Sequence, residues 1–98
     1  MEKEIVINDN EFLRQFEYKT DKGIAKIEYS LQERKIFLTK LIVPETIEDT
    51  TFRDLFIKCV LDSLQERNLR VVPTSPKIAG FLRKNKQYKD LLPVGVRI

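Results

Sequence analysis

The sequence predicts an α+β fold, in which an antiparallel β-sheet is covered by helices. Three observations support this prediction. The first half of the chain contains short runs in which apolar and polar residues alternate, separated by turn signals. A long segment then repeats its apolar residues at helical spacing. A further short β-rich run and a second helical segment follow it. Strands that come first and helices that come later are typical of an α+β domain.

The first half of the chain is predicted to form meandering strands. A short β-rich run, "EIVIN", precedes "FLRQFEYK". In the second run Phe12, Phe16 and Tyr18 all fall on even-numbered positions, which predicts a half-buried strand with a period of two. "TDKG" predicts a hairpin turn in which Gly23 takes a positive φ. The next strand, "IAKIEYSL", is predicted to direct one set of side chains inward: Ala25, Ile27, Tyr29 and Leu31.

After the turn "QERK", the run "IFLTKLIV" predicts one more strand. Its residues are apolar at both odd and even positions. A strand that is apolar on both faces is typical of the centre of a sheet that is covered on both sides. We therefore expect this strand to be central and covered on both faces.

The clearest element is a helix from about Thr51 to Arg67, with a capping-box pattern formed by Thr51 and Asp54. Asn68 is suited to end it in a left-handed conformation. The helix is predicted to bury a stripe of residues at spacings of three and four: Phe52, Leu55, Phe56, Cys59, Val60, Ser63 and Leu64.

A short strand, "LRVVP", and a second helix complete the pattern. Ser75 is the predicted N-cap of that helix, and Pro76 occupies its first helical position. "YKDLL" predicts a short helical turn, and "VGVRI" a terminal strand or tail. The second helix is predicted to bury Ile78, Ala79, Phe81 and Leu82.

The length and composition indicate one cytoplasmic domain spanning residues 1–98. The 42% apolar and 34% charged residues are typical of a soluble globular protein. The single cysteine, Cys59, cannot form an internal disulfide, which fits a reducing compartment, and its place on the helical stripe favours a core role. No signal peptide is evident, and no apolar run approaches the roughly 20 residues that span a bilayer.

The net charge of +3 is small, and the charges are unevenly placed. The stretch from Phe81 to Asp90 is rich in Lys and Arg, which indicates a solvated helix end or, alternatively, an anion-binding surface. Nucleic acid is an unlikely partner, because the basic face is small and lacks interleaved aromatic residues. We expect a monomer or a weak homodimer that acts on an amine or protein of unknown identity.

The stretch "VPETIEDTTFRDLF" leads from a strand into the long helix, a place where many proteins hold a phosphate on main-chain N–H groups. Such a turn normally uses glycine, which lets the backbone approach its ligand. Here it contains no glycine and two acids, Glu48 and Asp49. Either these acids only complement the dipole of their own helix, or they close a former anion site.

Three blocks resemble a compact family within the GNAT superfamily of N-acetyltransferases: "GIAKIEYSL", "IKCVLDSLQERNLRVVPTSP" and "IAGFLRKNKQYKDLL". The resemblance runs from about Phe16 to Leu92. It implies a mixed sheet that splays apart, with a long helix and a shorter C-terminal helix packed on it. It also implies acetyl-CoA as cofactor, with its pantetheine arm in the splay and its diphosphate on the strand-to-helix turn. The positions that match the family's cofactor loop are Ile42, Val43, Glu48, Asp49, Thr50, Thr51, Phe52 and Arg53.

The chain departs from the family at its functional positions. The family pattern Arg-Gly-x-Gly-x-Gly falls on Glu48, Asp49, Thr51 and Arg53, and none of the four is retained. The usual cysteine corresponds to Ser75, the usual histidine corresponds to Asn85, and Tyr88 is kept.

Two functions therefore follow from the resemblance. One is an acetyl-CoA-dependent N-acetyltransferase with weakened or lost cofactor binding, and the alternative is a non-catalytic binding module on the same fold. For the acetyltransferase, the candidate catalytic residues are Ser75 and Tyr88. Glu28 and Glu45 are further carboxylates that could act on an amine, and no metal-ligand cluster is evident.

Overall fold

A computed structural model describes residues 7–20, 23–44 and 50–93. The elements in chain order are β1 (Asn8–Asn10), β2 (Gln15–Thr20), β3 (Gly23–Gln32), β4 (Lys35–Ile42), α1 (Thr50–Glu66), β5 (Arg70–Pro73), α2 (Pro76–Lys84) and a 3₁₀ helix (Lys86–Leu91).

The strands form one mixed sheet in the order β1-β2-β3-β4-β5. The first four strands are antiparallel to their neighbours, whereas β5 is parallel to β4 because α1 carries the chain back across the sheet. The predicted α+β class and the mixed sheet are confirmed. The predicted strands "EIVIN" and "VGVRI" lie mostly or wholly outside the described residues.

The core lies on one face of the sheet, between the strands and the helices. The alternation of β3 places Ala25 and Ile27 on that face at 0% exposure, beside Ile36 and Leu38 of β4. The predicted stripe of α2 is buried against the same core, as expected. The fully or nearly fully buried side chains of the two helices are Phe56, Ile57, Val60, Leu61, Leu64, Ile78, Ala79, Phe81 and Leu82.

The predicted inward position of Phe12 is wrong, since its side chain is 93% exposed. The β2 strand begins only at Gln15, because residues 11–14 form a turn. The side-chain oxygen of Asn10 accepts the Leu13 N–H at 3.1 Å, and Arg14 takes a φ of 55°. These two features turn the chain before the strand starts.

Two expectations about burial near the β3–β4 turn are also wrong. Leu31 is 44% exposed because β2 pairs with β3 only as far as Glu28 and does not flank Leu31. Within the described residues, the helices cover one face of β4, where Ile36 and Leu38 belong to the core cluster. Phe37 is only half-buried, and Thr39 is exposed.

The buried face of α1 is rotated relative to the predicted stripe. Ile57 and Leu61 are buried, whereas Leu55 is 42% exposed and Cys59 is half-buried. The helix packs against α2 and the 3₁₀ helix as well as the sheet, as the bond from Tyr88 to the α1 residue Asp62 shows.

The predicted turn conformations are confirmed. Gly23 has a φ of 134°, and Asn68 ends α1 with a φ of 57°. In the part of the chain that the structure describes, no helix is both long and apolar enough to cross a membrane.

Candidate functional site

The sheet opens where β5 leaves β4. The parallel pairing begins at Lys35 with Arg70 and ends at Leu38 with Pro73. The β4 strand continues to Ile42, so its second half has no β5 residue beside it. We call this opening the fork.

Hydrogen bonds hold the fork at the Leu38 carbonyl oxygen. It accepts the main-chain N–H groups of Thr74 and Ser75, both at 3.1 Å, and the Thr74 hydroxyl at 3.0 Å. The chain is therefore fixed where it departs from β4 and enters α2.

A β-bulge at Thr39 sets the direction of the free part of β4. Tyr29 pairs with Leu38 and Glu28 with Lys40, so that Thr39 is the additional residue. Its hydroxyl donates to the Glu28 carbonyl oxygen at 3.2 Å. The bulge shifts Leu41 onto the core-facing side, opposite Ile27.

The register also shows which main-chain groups face the fork. The Tyr29 N–H donates to Arg14 on the β2 side at 2.9 Å, so the main-chain groups of Glu28 face β4 and meet Lys40. Successive residues of a strand direct these groups to opposite sides. The N–H and C=O of Leu41 therefore face the edge that β5 has left.

Aromatic packing fixes the first turn of α1 beside the sheet. The Phe52 ring stacks on Tyr18 of β2 with centroids 5.3 Å apart and an interplanar angle of 14°. Tyr18 also contacts Phe56 at a centroid distance of 6.2 Å. The start of α1, where the N–H groups of a helix are unpaired within the helix, is thus held by β2.

The structure covers only part of the predicted cofactor loop. Ile42 and Val43 are half-buried where β4 ends, and the residues from Thr50 to Arg53 form the first turn of α1. Phe52 packs inward, whereas Thr51 is exposed and Arg53 is half-buried. Glu48 and Asp49, together with the candidate Glu45, lie outside the described residues.

Ser75 lies at the fork and is 5% exposed. It occupies the N-cap position of α2 as predicted, but its side chain makes no capping hydrogen bond. The main chain holds the residue on both sides instead, because its N–H bonds Leu38 and its carbonyl oxygen accepts the Ala79 N–H at 2.9 Å. No histidine exists in the sequence to activate its hydroxyl.

Tyr88 lies away from the fork. Its hydroxyl donates to Asp62 at 2.8 Å, and its ring contacts Phe81 with centroids 6.0 Å apart. Asp62 is twelve residues from the start of α1, about 18 Å along the helix axis. Burial, together with the bond to Asp62, raises the pKa of Tyr88. The hydrogen bond and the ring contact of Tyr88 therefore join the 3₁₀ helix to α1 and to α2.

The surroundings of the Cys59 thiol and of the Glu28 carboxylate do not indicate a reactive group. Burial, and to a lesser degree the nearby Asp62, raises the pKa of the Cys59 thiol, which disfavours the reactive thiolate. Glu28 is half-buried, with Lys40 opposite it on one neighbouring strand and Gln15 on the other. Among the described residues no group of three or more His, Cys, Asp or Glu could hold a metal ion.

The predictions from sequence did not include Thr39, Leu41 or Thr74. A signal for the bulge exists in "IFLTKLIV", where the buried positions Ile36 and Leu38 are two residues apart but Leu41 follows after three. That change of phase is typical of an inserted residue. No pattern in the sequence indicates the Thr74 hydroxyl bond.

Comparison with known proteins agrees with this fold. Residues 15–91 match the family model described as GCN5-related N-acetyl-transferase. The fold is similar to the NMR structure of a GCN5-like proposed N-acetyltransferase from Staphylococcus aureus, with a TM-score of 0.71 and 21% identity over 94% of this chain and 90% of that one. No curated protein matches the chain significantly.

Proposed function

Because the chain belongs to the GCN5-related N-acetyltransferase family, we propose that it binds acetyl-CoA at the fork, with an affinity far below that of a relative with a glycine-rich loop. The observation that carries this proposal is the edge of β4 at Leu41, which pairs with no strand on that side within the described residues. A main-chain N–H and C=O that face an open edge suit the amide groups of a pantetheine arm.

The two ends of the cofactor differ in how well the residues suit them. The arm has the free β4 edge, whose departure from β5 is held by Thr74 and Ser75. The diphosphate end has the first turn of α1, but the sequence places Glu48 and Asp49 just before it. At about 5 Å from a phosphate, each carboxylate costs roughly 1–3 kcal/mol. Two such costs weaken a micromolar site to about millimolar.

Among the described residues, neither predicted catalytic side chain offers a base at the fork. When bound, acetyl-CoA supplies a thioester whose acyl carbon can accept an amine. The sequence has no histidine to activate the Ser75 hydroxyl, and the Tyr88 hydroxyl donates a hydrogen bond to Asp62, away from the fork. Without a base from these two residues, transfer depends on the fraction of the acceptor amine that is already deprotonated. We infer that transfer is slow and accelerates as the pH rises toward the pKa of the amine.

A non-catalytic binding module is the second candidate function, and Asn85 favours it. Its side-chain amide and its main-chain N–H both donate to the Phe81 carbonyl oxygen, at 2.8 and 2.9 Å. The residue at the family's histidine position thus caps the end of α2. A side chain engaged in that way supports the fold and offers no acid or base.

Calorimetry with acetyl-CoA tests the proposal and separates the two candidates. We expect a dissociation constant between about 100 µM and a few millimolar. A parallel assay of thiol release with a set of small amines measures transfer. Binding tighter than about 100 µM contradicts the account of the acidic turn. The absence of any heat at millimolar ligand excludes the acetyltransferase and leaves the binding module.

A further inference from the structure

A second cleft lies at the opposite end of β4 from the fork. It measures about 350 Å³ and is bounded by the β3–β4 turn, the end of α1, the start of β5 and the 3₁₀ helix. Arg34 and Arg70 both line the cleft, and their main chains are adjacent, because the main-chain N–H of Arg70 donates to the main-chain carbonyl oxygen of Arg34 at 2.9 Å. Arg34 is four residues from Leu38, about 13 Å along an extended strand.

Neither guanidinium group forms an ion pair within the described residues. The ion pair that the structure shows within the described ranges joins Arg67 to Asp9, and neither Arg34 nor Arg70 takes part in it. Arg70 donates from its Nη1 to the main-chain carbonyl of Asp90, which orients the side chain without cancelling its charge. Asp90 supplies one carboxylate to the lining, so the cleft keeps an excess of one positive charge.

The arginines are not needed to complete the end of α1. The last carbonyl groups of a helix are commonly met by the N–H groups of the residues that follow it. Here the Leu64 carbonyl accepts from Arg67 at 3.1 Å and from Leu69 at 3.3 Å, and the Gln65 carbonyl accepts from Asn68 at 3.2 Å. The guanidinium groups remain available to a ligand.

The rest of the lining is both polar and apolar. Gln65 and Asn68 add amide groups at the helix end, while Leu69 and the buried Leu91 add hydrocarbon surface. A guanidinium binds a carboxylate through paired N–H donors, and pockets of a few hundred Å³ hold small organic ligands. We infer that this cleft binds a monoanionic carboxylate attached to a short apolar chain. This site is separate from the fork and does not depend on acetyl-CoA.

The test is an NMR titration of the ¹⁵N-labelled protein with sodium hexanoate, using hexanol as the uncharged probe. We expect saturable shifts of the Arg34, Asn68 and Leu69 amides, with half-saturation at about 5 mM, and no matching response to hexanol. Arg34→Gln should weaken hexanoate binding about tenfold, because the exposed Arg34 side chain is removed while the main-chain bond to Arg70 is kept. Lys19→Gln, the same charge change at the other end of the sheet, should bind like the parent.

A second variant keeps the result interpretable if the first one disturbs the turn. Arg70→Lys preserves the charge but removes the planar pair of donors, so we expect about threefold weaker binding with a native-like spectrum. Equal hexanoate affinity in the parent, Arg34→Gln and Arg70→Lys overturns the inference. So does a shift pattern that hexanol reproduces, because the cleft then recognises only the hydrocarbon.

Discussion

The main-chain N–H of Ser75 donates to the carbonyl oxygen of Leu38 at 3.1 Å, across the point where two parallel strands separate. The Thr74 N–H and hydroxyl reach the same oxygen. A carbonyl oxygen has two lone pairs, so at least two of these three donors share one, and no lone pair is left for another partner. The hydrogen bonds to the Leu38 oxygen therefore fix where the chain leaves β4. The part of β4 that does not pair with β5 begins just beyond Leu38.

Removal of the Thr74 hydroxyl should weaken the fork. Thr74→Val keeps the branched shape but deletes the 3.0 Å bond to the Leu38 oxygen. We expect the free energy of unfolding, measured with urea, to fall by about 1 kcal/mol. The matched control is Thr39→Val, whose exposed hydroxyl bond to Glu28 water can replace, with an expected loss under about 0.5 kcal/mol. Equal losses in the two variants would mean that the fork bond has no special role.

Gly23 and Gly80 should respond in opposite ways to alanine. Gly23 has a φ of 134°, and an added Cβ would lie 3.0 Å from the Cγ of Pro44, so Gly23→Ala should cost about 1–3 kcal/mol. Gly80 is within α2 and an added Cβ meets nothing within 4 Å, so Gly80→Ala should stabilise by about 0.5–1 kcal/mol. Thermal unfolding of both variants measures the difference. A neutral Gly23→Ala would show that the packing of Pro44 on the hairpin is not required.

Tyr29 should make the protein less stable at alkaline pH. Burial, and then the bond it donates to Asp9 at 2.6 Å, raise the pKa of Tyr29 to about 12. The unfolded chain loses this proton near pH 10, so the stabilisation is complete below about pH 10 and is lost as the pH rises toward 12. Urea unfolding at pH 9 and pH 11 should show a smaller decline in Tyr29→Phe than in the parent. The same decline in both proteins would contradict the assignment.

The strands and helices were predictable from sequence because their signals are local. The alternation around Ile27 and the left-handed stop at Asn68 depend on neighbours within a few residues. The exposure of Phe12 was not predictable from alternation alone, since the Asn10 side chain turns the chain before β2 begins. The burial of Leu61 was missed for a different reason, because the predicted stripe ran through Phe56 and Val60 and left out the neighbouring series of Ile57 and Leu61.

The candidate site was predictable only in part. The sequence identifies which residues replace the family's loop, cysteine and histidine, but it does not show what the replacements do. The two hydrogen bonds from Asn85 to the Phe81 carbonyl oxygen are properties of the folded chain, and so are the main-chain hydrogen bonds of Ser75. The position of the β4 edge at Leu41 depends on the registers of three strand pairs, which no local pattern specifies.

The sharpest prediction concerns the acidic turn. Restoring the family pattern with Glu48→Arg, Asp49→Gly, Thr51→Gly and Arg53→Gly removes two negative charges, moves one positive charge from position 53 to position 48 and lets the backbone approach a diphosphate. We expect at least about a tenfold gain in CoA affinity by calorimetry, with a lower melting temperature because glycines weaken the first turn of α1. Glu66→Arg, a charge reversal at the other end of the same helix, controls for general electrostatic attraction and should leave the affinity near that of the parent. If the restored loop brings no gain, the defect lies in the β4 edge and not in the turn, and the free groups of Leu41 do not receive the pantetheine arm.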